Sequence, residues 1–216
     1  MKRREFSLAT ASALGLLSFA DPVSAQRIAP KSSEYQVLGK AAPVEAPAGK
    51  VEVVEFFSYN CPHCAAFEPQ LQTWLKQLPS FVVFKRVPVP FVGSDVLTKQ
   101  RLYYTLAALG KVEAFQQQIF KTIHVDRQPL SGDAAVLAWA EKQPGLDGKK
   151  FAELFRGSEV NDQAKMANVL TNAYDVGGVP ALGIAGRFYT DGTLAGSMDR
   201  VLWVANYLIS EARKSA

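Results

Sequence analysis

The chain has 216 residues, of which 48% are hydrophobic and 20% charged, and its formal net charge is +4. That length corresponds to one or two domains of about 150 residues, and the composition supports a packed core and argues against wholesale disorder. Two cysteines and two histidines argue against a disulfide-stapled miniprotein, a four-cysteine zinc module and a histidine-rich metal cage, and a mild charge with no dense Lys/Arg block argues against nucleic-acid binding.

Residues 1–25 read as an export signal. Lys2, Arg3 and Arg4 form a basic head, and Leu8 to Ala20 is apolar or small and carries no charge. These 13 residues are too few to cross a hydrocarbon core of about 30 Å as a helix. Val23-Ser24-Ala25 fits the small-x-small cleavage pattern and predicts Gln26 as the mature N-terminus. Arg3-Arg4-Glu5-Phe6-Ser7-Leu8 also resembles a twin-arginine motif, the alternative being an ordinary signal with two arginines in its head. Either route leads to an oxidising compartment.

Gln26 to Lys50, with Pro30, Pro43 and Pro47, reads as a loose arm. Val51 to Phe57 is β-branched and aromatic and predicts a buried strand. After the loop Ser58-Tyr59-Asn60, Cys61-Pro62-His63-Cys64 opens a helix that continues to Leu78. Pro62 suits its first turn, where a missing N–H costs nothing. Phe67, Leu71, Trp74 and Leu78 mark the buried face. Phe81 to Val87 predicts a second strand, parallel to the first through a right-handed crossover.

From Ser94 to Thr171 the pattern turns helical. Leu102/Leu106/Leu109, Val112/Phe115/Ile119, Val136/Trp139/Ala140, Phe151/Leu154/Phe155 and Met166/Val169/Leu170/Ala173 mark five successive apolar faces, read as core packing. Val179 to Ile184 and Arg187 to Thr190 predict a hairpin turning at Gly186. Ser197 can cap a last helix with Val201, Leu202, Ala205 and Leu208 facing inward. The order β-α-β, helices, β-β-α predicts an α/β host, residues 26–93 and 172–216, carrying a helical insertion at 94–171.

Two thiols separated by two residues at a helix mouth admit a redox pair, half a zinc site or a static disulfide. Zinc needs about four ligands; His63 lies between the cysteines and His124 is the other imidazole, so no metal is expected. A static bridge would close too short a loop to remove much unfolded-chain entropy. Disulfide exchange remains, and it requires a thiolate. Cys61, at the helix N-terminus, meets unpaired N–H groups and the positive end of the helix dipole, and His63 can add a donor and a charge. Cys64, one turn in, is expected to be the buried, proton-bound partner. Glu55, a carboxylate within an apolar strand, is expected, if that strand is buried, to have a raised pKa and to exchange protons with Cys64, the alternative being an outward-facing surface acid.

Glu55-Phe56-Phe57-Ser58-Tyr59-Asn60-Cys61-Pro62-His63-Cys64 resembles the active-site segment of the DsbA family of thiol:disulfide interchange proteins, and Gly178-Val179-Pro180-Ala181 resembles its cis-proline segment. The resemblance covers nearly all the mature chain and implies a thioredoxin-like fold with an inserted helical domain. It implies an acidic, oxidising first cysteine. Cys61 would form the mixed disulfide and Cys64 resolve it, with Pro62 and His63 setting the redox poise and Glu55 beneath the disulfide. Val179 would pair with an extended substrate segment, beside a cis Pro180. Tyr59-Asn60 departs from the more aromatic pattern of relatives and suggests a more polar groove. His124 is expected at the surface or in helix packing.

The resulting expectation is a monomeric periplasmic dithiol oxidase without cofactor, acting on folding exported polypeptides. It would be re-oxidised by a DsbB-type membrane quinone-linked oxidase. A disulfide isomerase or reductase, and a non-catalytic peptide-binding chaperone, are the alternatives.

Overall fold

The computed structural model describes residues 29–215; the export signal and its cleavage position lie outside them. A five-stranded sheet has the order β1-β5-β4-β2-β3, with β1 at Gln36–Val37, β2 at Val51–Phe57, β3 at Val82–Pro88, β4 at Ala181–Ile184 and β5 at Phe188–Asp191. β2 and β3 run parallel, joined by α1, Pro62–Leu75. β4 lies antiparallel to both β2 and β5. All seven residues of β2 are buried, as a central strand covered on both faces requires. Its period of two sends Val51, Val53 and Phe57 towards one side with Glu55 between them, and Val54 and Phe56 towards the other.

Between β3 and β4 lie α2 (Val96–Ala108), α3 (Val112–His124), α4 (Gly132–Glu141), α5 (Gly148–Arg156) and α6 (Ser158–Ala173). Their buried Leu102, Leu106, Phe115, Ile119, Phe120, Val136, Phe151 and Phe155 share one apolar cluster with Phe57, Tyr59, Cys61 and Cys64. The inserted helices therefore pack directly against the thiol pair. On the opposite end of the sheet, Phe67, Leu71 and Trp74 of α1 meet Val201, Leu202, Ala205 and Leu208 of the last helix, α8 at Met198–Lys214. Ser197 Oγ accepts from the backbone N–H of Arg200 at its start.

Three expectations about the fold are corrected. Over its described residues, 29–50, the arm before β2 is not loose. Residues Ser32–Glu34 form a 3-10 turn, β1 pairs with β5, and Glu34 forms an ion pair with Arg200 at 2.7 Å. Farther along, the Glu52 carboxylate accepts from the backbone N–H groups of Glu45 and Ala46. These partners are distant in sequence, so the arm's local composition does not reveal them.

The inward face of α6 is Val160, Ala164, Ala167, Leu170 and Thr171, whereas Met166 and Val169 are exposed. Small residues let α6 approach the sheet closely, and the larger ones are rotated outwards. Finally, the first hairpin strand starts at Ala181, and α7, Gly192–Ala195, follows β5 behind an Asp191 cap.

Between the paired Ile184 and Phe188 the chain turns through Ala185 (φ 54°), Gly186 (φ 66°) and Arg187, whose N–H donates to Ile184 O at 3.0 Å; the two successive left-handed conformations are those a type I′ turn requires. Gly186 is demanded twice, because a Cβ there would stand 2.5 Å from the Ala42 carbonyl oxygen.

Candidate active site

Cys61 is the N-cap residue of α1 and Pro62 its first helical residue. The Cys61 backbone N–H donates to Ser58 O at 3.0 Å, which folds residues 58–61 into the turn that aims the helix. Both thiols are free, and no group of three His, Cys, Asp or Glu is placed to hold a metal among the described residues. Cys61 is 5% exposed and Cys64 fully covered, so the expected order of exposure is found, but Cys61 is itself nearly enclosed. As a thiol, its Sγ–H donates to Val179 O at 3.4 Å. The Val179–Pro180 peptide bond is cis, and Pro180 is buried. Two segments separated by more than a hundred residues thus meet at one sulfur.

The Cys61 thiol is pulled down from its ordinary 9.0 to about 6. The chief cause is a hydrogen bond donated by the Cys64 thiol, which desolvation opposes; the backbone N–H groups of Cys64 and His63 add to it, and the His63 charge comes last. His63 is exposed, and water screens its contribution. Sequence reasoning placed the helix N-terminus and His63 first, and missed that the second thiol is itself the foremost donor. Cys64 is pushed far up, by burial first and then by its bond to Cys61 and the Cys61 charge. A group that donates to its neighbour's anion and cannot itself ionise is the complement that an acidic thiol needs.

Glu55 is 1% exposed, and its Oε2 accepts from Arg86 Nε at 2.9 Å. Burial pushes its carboxyl up to about 8; the Arg86 charge opposes this, and the Glu68 and Glu113 charges assist it. Arg86 Nη2 reaches Glu68 Oε1 at 3.0 Å, and Nη1 reaches Glu113 Oε1 at 2.7 Å. Arg86, Glu68 and Glu113 carry no signal in the local sequence, since they come from β3, α1 and α3.

Tyr59 does not make the groove more polar. It is fully buried, its ring packs edge-on against Phe57 and Phe120, and its hydroxyl donates to Gln116 Oε1 at 2.7 Å. Asn60 donates to Val92 O at 2.9 Å and Ser94 O at 2.8 Å, so it ties the thiol loop to the start of the inserted segment. Gly93 (φ +73°) makes room, since a Cβ there would stand 2.8 Å from the Asn60 Cβ. His124 is half-buried, with Nε2 2.9 Å from Tyr59 O. Beside Cys61, His63, Val179, Pro180, Asp191, Thr193 and Met198 line an open groove of about 340 Å³.

Residues 52–201 match the family model described as a DSBA-like thioredoxin domain. The chain is 38% identical over 209 residues to the thiol:disulfide interchange protein DsbA of Bordetella pertussis, covering 96% of each protein. It is 34% identical to the protein of that name in Pseudomonas aeruginosa, covering 97% of this chain and 95% of that one. The crystal structure of P. aeruginosa DsbA superposes with a TM-score of 0.79 at 34% identity, covering 84% of this chain and 93% of that one. The oxidoreductase DsbA of Xylella fastidiosa superposes with a TM-score of 0.75 at 28% identity, covering 84% and 96%. A match of this extent, on a chain whose strand–thiol helix–strand core receives its helices between β3 and β4, places it in the DSBA-like thioredoxin domain family.

Proposed function

We propose that this protein is a periplasmic thiol:disulfide oxidoreductase that donates a Cys61–Cys64 disulfide to folding exported polypeptides. The observation that carries the reading is the opposite bias of the two thiols, Cys61 acidic and Cys64 reluctant to ionise. A substrate thiolate attacks Cys61 Sγ; a substrate–Cys61 disulfide forms and the Cys61–Cys64 bond breaks, leaving its electron pair on Cys64. Cys64 needs a proton, and Glu55, raised to about 8, holds one at neutral pH. The second substrate thiolate then attacks the substrate sulfur, and Cys61 leaves as a stabilised thiolate. Two electrons have passed from the substrate dithiol to the protein. Val179 and Pro180, beside Cys61, offer backbone and apolar contact to an extended substrate. Residues 26–93 and 172–216 serve as the thioredoxin-like domain, and 94–171 as the inserted one. A DsbB-type membrane oxidase returns the dithiol to the disulfide.

The test is the redox equilibrium of the purified protein with glutathione, combined with ultraviolet thiolate absorbance against pH. An oxidising potential and an acidic Cys61 are expected. A potential as reducing as that of thioredoxin would favour an isomerase or reductase, and full biological function in Cys61→Ser would favour a non-catalytic chaperone.

A further inference from the structure

Glu113 stands outside the thiol motif, on a helix that contributes no reacting atom. Its side chain is 66% exposed, yet both carboxylate oxygens are engaged. Oε1 accepts from Arg86 Nη1 at 2.7 Å and Oε2 from Gln72 Nε2 at 2.9 Å. Arg86 serves three carboxylates through three different nitrogens, Nε to Glu55, Nη2 to Glu68 and Nη1 to Glu113. A guanidinium shared in this way cannot offer its two-pronged face to any one of them. With all three ionised, the cluster would carry two uncompensated negative charges in a site where Glu55, Glu68 and Arg86 are buried. Such a cluster retains a proton.

The groups around Glu55 decide where that proton sits. β3 contributes Arg86, α1 contributes Cys64 and Glu68, α2 contributes Tyr103, α3 contributes Glu113, and the loop after β2 contributes Tyr59. Glu113 is the most exposed of the carboxylates and can be hydrated as an anion, whereas Glu55 cannot. We propose that Glu113 is a positioning residue for the thiol chemistry: by occupying one nitrogen of Arg86 and adding a negative charge, it keeps the buried Glu55 carboxyl protonated and ready to serve Cys64.

This inference rests on the proposed exchange at Cys61 and Cys64. When Cys64 departs as a thiolate, the Glu55 O–H bond breaks and an S–H bond forms, and the electron pair remains on Glu55 as a carboxylate facing Arg86. Both the Glu68 and the Glu113 charge act on Glu55 in the raising direction, as the geometry requires. Glu113 thereby gives the inserted helices a part in the chemistry, since α3 also contributes Gln116, which receives the Tyr59 hydroxyl.

The test is a carbon-13 NMR titration of the Glu55 side chain in the oxidised full-length protein, across a charge series at position 113. Glu113→Gln is expected to lower the proton affinity of Glu55 about three- to tenfold. Glu113→Lys should lower it further, and Glu113→Asp should restore it. In parallel, Glu113→Gln should move the pH profile of disulfide opening by a small thiol, and that movement should vanish in a Glu55→Gln background. A Glu55 midpoint indifferent to charge at position 113, or a profile that shifts equally without Glu55, overturns the proposal. Thiolate absorbance of Cys61 in the same variants after reduction judges the exchange reading separately: an ordinary thiol at Cys61 would sink that reading, while the Glu55 titration of the oxidised form still decides the role of Glu113.

Discussion

Lowering the pH should weaken the dithiol form selectively, by an amount that follows from Cys61. Its thiol is depressed from 9.0 to about 6. A group with a depressed folded pKa contributes stability that is complete above its unfolded value and is lost as pH falls through the folded one. The window therefore runs from about pH 9 down to about pH 6. At about 1.4 kcal/mol per unit, the ceiling is about 4 kcal/mol. Val179, which touches the Cys61 sulfur, lines an open groove, so nearby solvent reduces this to about 2 kcal/mol, equivalent to about 40 mV in the potential of a two-electron couple.

The disulfide form has no thiol to titrate and gains nothing. Glu55, raised to about 8, favours folding below its ordinary 4.5 and loses that contribution as pH rises through about 8. It is present in both redox forms and largely cancels in their difference. Cys64, raised far above 9.0, penalises the dithiol form only at pH above the ordinary thiol range. Denaturant unfolding of the oxidised and reduced proteins across the window measures the difference directly. The stability of the dithiol relative to the disulfide should climb from about pH 6 to about pH 9, and the slope should vanish when reduced Cys61→Ser replaces reduced wild type. A difference that is flat, or that grows towards acid, would refute the reasoning.

Three substitutions test other parts of the structure. Arg86→Met leaves the buried Glu68 carboxylate without its cation and the protonated Glu55 without its hydrogen-bond donor, and should cost about 3–5 kcal/mol near neutral pH; the loss should shrink as Glu68 protonates, which unfolding at two pH values will show. Tyr59→Phe strands the buried Gln116, whose Nε2 already lacks a partner, and should cost about 1–3 kcal/mol by denaturant unfolding. In Gly183→Ala the new methyl group collides with the buried Tyr174 ring. A shift in the thermal midpoint equivalent to about 1–3 kcal/mol is expected, with Cys61 titration unchanged.

Legibility in the sequence followed the range of the interactions. The Val51–Phe57 strand, the thiol helix and the hairpin turn are specified by neighbouring residues: an apolar run, a proline at the first helical position and a glycine at a turn. Glu55 was conspicuous for the same reason, as an acid set among Val53, Val54, Phe56 and Phe57. Its partners were not, because Arg86, Glu68 and Glu113 are ordinary charged residues until the chain brings them together. Tyr59 reads as groove polarity in a linear string, but its hydroxyl is consumed by Gln116 within the core. The face of α6 was misread because hydrophobicity ranks Met166 and Val169 above Ala164 and Ala167, whereas close approach to the sheet favours the alanines.

These long-range contacts bear on why the thiol loop holds its shape. Residues 58–60 sit between a strand and a helix, and a loop of that length has few hydrogen-bond partners of its own. Here it is clamped from outside: the Tyr59 hydroxyl by Gln116, the Tyr59 carbonyl by His124, and Asn60 by the carbonyls of Val92 and Ser94. Two of these four contacts come from α3, and the other two from the loop after β3 that leads into the inserted segment. The α1 N-terminus, and with it the N–H groups directed at Cys61, is thus oriented by helices that do not belong to the sheet. Preorganised donors stabilise an anion without reorganising when it forms, so loosening the clamp should raise the Cys61 pKa even when neither cysteine nor His63 is touched. The inserted helices act as a brace for the electrostatics of one sulfur, and a lid over the groove is not needed to explain why they pack where they do.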